Sequence, residues 1–175
     1  MRCANPFIVS ILLPLLWARC ACGGEAMGAI DDAEAKLVAI RAVTAMFLRS
    51  DLEELEELVD PTCAVNAKGP GQKDRLLAGI RDDLRRMGEG KLSGVLSLRE
   101  MRFFVEKDIP ALRERFPTKR DLWSDAQAPA YITGGLGCCV VARELHNGKE
   151  TDAEVYVLVI RRVGGKPKVV FYGNS

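Results

Sequence analysis

Hydrophobic positions recur at helical spacing in the first half of the chain and alternate in the second half. From Asp31 to about Ser50, Leu37, Ile40, Thr44 and Phe47 fall at i, i+3, i+7 and i+10, with Ala33 one turn earlier. That spacing predicts a helix with those side chains as its buried stripe. A break is expected at Arg49-Ser50. Asp51 and Glu54 form a D-x-x-E capping box for a second, shorter helix carrying Leu52, Leu55, Leu58 and Val59. Asp60-Pro61 ends it, because the residue before proline is pushed out of the α region. The acid run Glu53-Glu54 and Glu56-Glu57 reads as the solvated face of this helix rather than as a metal cluster.

A short strand is predicted over residues 62–67, a turn over 68–72, and a third helix from Lys73 to Met87 with Leu76, Ile80, Leu84 and Met87 inward. Gly88 and Gly90 stop it. The period then changes. Val95 to Val105 alternates as a strand. Residues 106–129 read as a connection in which Asp108-Ile109-Pro110 opens a helical turn bearing Leu112 and Phe116, and Trp123 anchors it. Three strands close the chain: Tyr131 to Leu145, Asp152 to Arg162 and Lys168 to Tyr172. Asn147-Gly148 and Gly164-Gly165 supply the positive-φ positions of the two hairpin turns between them. Helices first and strands last is the α+β pattern, with helices packed on an antiparallel sheet.

The strand from Asp152 to Arg162 is apolar on both faces. Ala153, Val155, Val157 and Val159 are assigned to the core against the helices. Tyr156, Leu158 and Ile160 take the opposite face and form the expected dimer face. A second copy paired sheet to sheet would cover them, as would residues 106–129 folded back.

The N-terminus has its own pattern. Arg2 precedes an apolar run from Phe7 to Trp17 that contains Pro14, followed by small residues and Gly23-Gly24. This is the layout of a secretory signal peptide, too short for a stable span of a bilayer core about 30 Å thick. Residues 1–22 are therefore read as a signal peptide, 23–28 as a linker and 29–175 as one domain. Two outcomes of processing stay open. Cleavage after Cys20 gives a secreted or periplasmic protein. Cleavage before Cys22, with lipid on that residue, gives a membrane-anchored lipoprotein. The mass of the mature N-terminus separates them.

Composition adds mainly exclusions. The 175 residues are 48% hydrophobic and 28% charged, enough for one domain with a real core. Losing Arg2 and Arg19 with the export segment turns a net charge of +1 into −1. No clustered positive excess points to a nucleic-acid partner. Past the signal, Cys63, Cys138 and Cys139 remain. Neighbours on a strand face opposite ways, so Cys138 and Cys139 do not bond each other, while one of them is open to pairing with Cys63. Packing as small apolar residues is the simpler reading. No Cys/His spacing suits a metal, and GPGQKD lacks the spacing of a phosphate cradle, so no cofactor is expected.

The order of these pieces resembles the NTF2-like superfamily, including its SnoaL-like members. FLRSDLEELEELVDP is similar to that family's opening of helix, break and helix, and VYVLVIRRVGGKPKVVFY to its closing strand, Gly-rich turn and strand. The resemblance covers residues 29–173; residues 106–129 are longer than the family's usual connection. It implies a curved antiparallel sheet wrapped around the N-terminal helices as a cone with an internal pocket. Members of the family use that pocket for proton transfer or cyclisation, or to bind ligands or proteins, and many pair through the sheet. Fold alone does not choose among these.

Chemistry is sparse. His146 is the one histidine and sits beside the Asn-Gly turn, where a solvated role is expected. The candidate pocket residues are Glu100 and Arg102, two apart on one strand face, with Tyr156 and Tyr172. The expected function is a non-catalytic module binding a small apolar ligand or another protein. The alternatives are an isomerase- or cyclase-type enzyme using Glu100 or Tyr156, and a structural envelope lipoprotein.

Overall fold

A computed structural model describes residues 33–88, 95–146 and 149–175. The expected export segment, Cys22, the expected cap at Asp31 or Asp32, Gly90 and the turn expected at Asn147-Gly148 lie outside the described residues. Helix α1 spans Ala33–Thr44 and runs into a π-helical turn, Ala45–Arg49. Ser50 ends it in the left-handed conformation at φ 57°, which is the break expected at that position. Helix α2, Leu52–Leu58, starts with Asp51 Oδ1 accepting the Glu54 N–H at 3.0 Å. Glu54 in turn takes Arg41 Nε at 2.7 Å and so ties α2 to α1.

Strand β1 (Val59–Val65) follows without a loop, and α3 covers Lys73–Gly88. Strand β2 is Val95–Phe104, α4 is Ile109–Arg115, and a 3-10 segment runs over Pro117–Trp123. Helix α5 (Ala128–Ile132) takes up Tyr131, so β3 starts at Leu136 rather than at Tyr131 and ends at His146. Strands β4 (Lys149–Val163) and β5 (Lys166–Asn174) close the chain. They are joined by Gly164 and Gly165 at φ 57° and 81°, the positive-φ turn that the glycine pair requires.

The five strands are ordered β1-β5-β4-β3-β2. All neighbours are antiparallel except β1 and β5, which run parallel. The architecture is the expected α+β arrangement of helices in a curved, unclosed sheet. Two cores lie on its two faces. The inner core joins α1, α2 and α3 to Leu136, Cys138, Val140, Tyr156, Leu158 and Ile160. The outer core joins residues 104–132 to Cys139, Val155, Val157, Val159 and Phe171.

This reverses the assignment of β4. Tyr156, Leu158 and Ile160 meet the N-terminal helices, while Val155, Val157 and Val159 meet the folded-back connection. Leu158 and Ile160 are wholly buried within one chain, so they form no dimer face. Apolar residues on both faces told that both are covered, but alternation is blind to which cover goes where.

Helix α1 is likewise rotated from its expected face. Its buried side is Ala35, Val38, Ala39, Ala42 and Val43, whereas Leu37 is 56% exposed and Ile40 44%. Small residues let the helix backbone approach β4 and β5 closely, which larger ones in the same stripe would prevent. Leu76 is buried and Ile80 half-buried on α3, as the spacing predicts.

The connection after β2 is a built cap. Asp108 Oδ2 accepts the Val105 N–H at 2.9 Å, and Pro110 sits in the first turn of α4. Trp123 is fully buried between Phe104, edge-on at 5.7 Å, and Phe116, stacked at 6.3 Å. Arg113 Nε donates to the Trp123 carbonyl at 2.7 Å and closes the segment on itself.

The cysteines do not pair. Cys63 lies on β1 and Cys138 and Cys139 on β3, with β5 and β4 between. Three strand spacings make roughly 14 Å along the sheet, against the roughly 4.4–6.8 Å between Cα atoms that a disulfide spans. Burial pushes each thiol up to about 12, helped by Asp60 at Cys63 and by Glu100 at Cys139. At pH 8 these three thiols are expected to resist iodoacetamide in the folded protein, and the melting temperature to be the same with and without reductant. Rapid alkylation located at any of the three by mass mapping would refute the packing described.

Candidate functional site

The four expected pocket residues divide between the two faces of the sheet. Glu100 pairs with Val141 and Arg102 with Cys139, on the side of the outer core. Glu100 accepts Arg102 Nε at 3.0 Å on one oxygen and an Arg115 guanidinium nitrogen at 2.6 Å on the other. It thereby links β2 to α4. Beside it an open groove of about 430 Å³ is lined by Arg102, Phe104, Asp108, Leu112 and Arg115. Two arginines already meeting one carboxylate make this a half-exposed ion-pair network, worth about 1 kcal/mol or less per pair.

Tyr156 and Tyr172 lie on the inner face and come together, with ring centroids 6.4 Å apart. Two further residues complete the group, and sequence reasoning placed neither there. Phe47, carried by the π-helical turn, meets Tyr156 edge-on at 4.8 Å. A wider turn of this type shifts a side chain off the helical register, and such turns are common at functional sites. Glu154, two residues before Tyr156 on β4, accepts a hydrogen bond from the Tyr156 hydroxyl on Oε2. The signal for Glu154 was present: residues two apart on a strand share a face.

The electrostatics of this group are one-sided. Burial first, then the hydrogen bond to Glu154 and its charge, and then Tyr172 and Asp83 of α3, push Tyr156 far above the ordinary phenol range. Tyr172 is raised by burial and by Asp83 and Glu154. Both phenols therefore stay protonated at any physiological pH and act as neutral donors. Phe47, Ile80, Phe103 and Tyr172 are each half-buried at the margin of the inner core. The arrangement sets one hydroxyl–carboxylate pair, Tyr156 and Glu154, against the aromatic rings of Phe47 and Tyr172. Among the described residues no group of His, Cys, Asp and Glu gathers to hold a metal ion.

No family model matches the chain, and no curated protein matches it significantly. Solved structures do. An NTF2-like protein of unknown function from Pseudomonas putida is 13% identical, with a TM-score of 0.50 over 86% of this chain and 89% of its own. A protein of unknown function with a cystatin-like fold from Nostoc punctiforme is 11% identical, with a TM-score of 0.47 over 86% and 93%. A protein of unknown function from Mycobacterium tuberculosis is 12% identical, with a TM-score of 0.48 over 86% and 77%.

Proposed function

Given the NTF2-like fold of this chain, we propose that it is a non-catalytic binding module of an exported protein. Its ligand is small and largely apolar, and seats on the inner face beside Phe47, Tyr156 and Tyr172. The observation that carries this reading is the Tyr156–Glu154 hydrogen bond set among half-buried aromatic rings, since polar groups fixed in an apolar wall are what orient a ligand. The outer face is filled by Trp123 and its neighbours, and the open grooves on it carry charged side chains, among them Arg102, Asp108, Arg113 and Arg115. The same pair is an acid and a base in contact, which keeps an isomerase- or cyclase-type reaction as the second reading. Glu100 belongs to neither, because it lies on the opposite face among arginines.

The test uses N-phenyl-1-naphthylamine, a neutral dye that fluoresces in apolar sites. Saturable binding is expected, with amide shifts in a titration followed by NMR concentrated at Phe47, residues 154–156 and Tyr172. Tyr156→Phe is expected to weaken binding several-fold, in line with the loss of one hydrogen bond worth about 1 kcal/mol. Shifts that map instead to residues 106–132, or no saturable binding, would remove the reading.

A further inference from the structure

Glu154 is half-buried, and among the described residues its one hydrogen-bond partner is the neutral Tyr156 hydroxyl. The other buried or half-buried acids of the fold are held in one of two ways. Glu54 is met by Arg41 and Arg49 and Glu100 by Arg102 and Arg115, while Asp51, Asp60 and Asp108 each accept a backbone N–H. Glu154 has neither among the described residues. Withdrawing a carboxylate from water is costly unless a positive group compensates. No lysine or arginine does so at Glu154 among the described residues.

The Glu154 charge also acts, after burial, to raise both Tyr156 and Tyr172. Phe47, Tyr156 and Tyr172 stand side by side at centroid separations of 4.8 and 6.4 Å. Aromatic faces carry negative potential and attract an organic cation within about 6 Å of their centroids. An anionic ligand would meet repulsion here. A cationic one would gain both the ring faces and an otherwise uncompensated carboxylate.

We propose that the ligand of the inner face is an organic cation, an amine or quaternary ammonium on an apolar body, with Glu154 as its counter-charge and Phe47, Tyr156 and Tyr172 as its aromatic wall. This rests on the binding role given to that face. Its test therefore separates the charge of the ligand from the existence of the site.

Three probes of one size are titrated against the folded domain and followed by NMR: phenyltrimethylammonium, tert-butylbenzene as its uncharged counterpart, and benzoate. The cation is expected to bind at least tenfold more tightly than tert-butylbenzene, and benzoate the most weakly. Glu154→Gln is expected to abolish that preference by weakening the cation at least tenfold more than it weakens tert-butylbenzene. Phe47→Leu reduces the preference several-fold without a change of charge, and serves if the first variant fails to fold. Equal or tighter binding of tert-butylbenzene or benzoate overturns the cation assignment and leaves the apolar site standing. A preference that survives both substitutions places the cation elsewhere, for instance on the acid-rich α2, and overturns the assignment too. Failure of all three probes to bind removes both this inference and the binding role.

Discussion

Trp123→Ala is expected to cost about 3–5 kcal/mol of unfolding free energy, the range for removing a large buried aromatic side chain. For a domain of this size that is a fall in melting temperature of roughly 10 °C. The reason is specific to the connection between β2 and β3. Trp123 is wholly buried, lies between Phe104 of the sheet and Phe116 of the cap, and carries the carbonyl that receives Arg113. Removing it opens a cavity where the cap, the sheet and the 3-10 segment meet. Trp123→Phe should cost much less, since the indole N–H has no hydrogen-bond acceptor among the described residues and its loss leaves no polar atom stranded. Thermal and urea melts of the two variants check this. An alanine variant within about 1 kcal/mol of the parent would mean that the segment lies loosely on the sheet.

Gly137→Ala is expected to destabilise by about 2–3 kcal/mol through overpacking. Gly137 is paired with Phe104 across β2 and β3, and the Phe104 ring lies directly over it. A Cβ at Gly137 would stand 2.2 Å from the ring Cζ and 2.4 Å from Cε1 and Cε2. The ring fills the space of the missing side chain, a cross-strand arrangement in which an aromatic residue compensates for a glycine in a strand. The two positions should therefore couple. Phe104→Ala alone leaves a cavity and an uncovered glycine, and adding Gly137→Ala to it should cost far less than in the parent. Urea denaturation of the four proteins in the cycle measures the coupling. Additive effects would show that the ring yields freely.

Much of the architecture was legible in the chain. The cap at Asp51, the break at Ser50, the Gly164-Gly165 turn and the strand character of residues 152–162 are local matters. Each depends on a few adjacent residues and on backbone preferences that act over one turn. The candidate site was only half legible. Tyr156 and Tyr172 were found because polar aromatics inside apolar strands stand out. Glu154 was passed over although its spacing from Tyr156 already put the two on one face. Glu100 and Arg102 were joined to the tyrosines because the chain does not say that β2 presents them to the outer side.

By itself the sequence determined the long helices and strands, though not α5 or the start of β1, and also that β4 is covered on both faces and that residues 106–129 carry an anchor in Trp123. It did so because period, capping and turn residues are properties of short stretches. Tertiary structure alone decided which face meets which cover, that α1 turns its alanines inward and leaves Leu37 and Ile40 outside, and that Phe47 comes to rest on Tyr156. Those outcomes depend on how closely two surfaces far apart in the chain can approach. The volumes on both sides set that distance, and they enter the reckoning only once the surfaces are in contact.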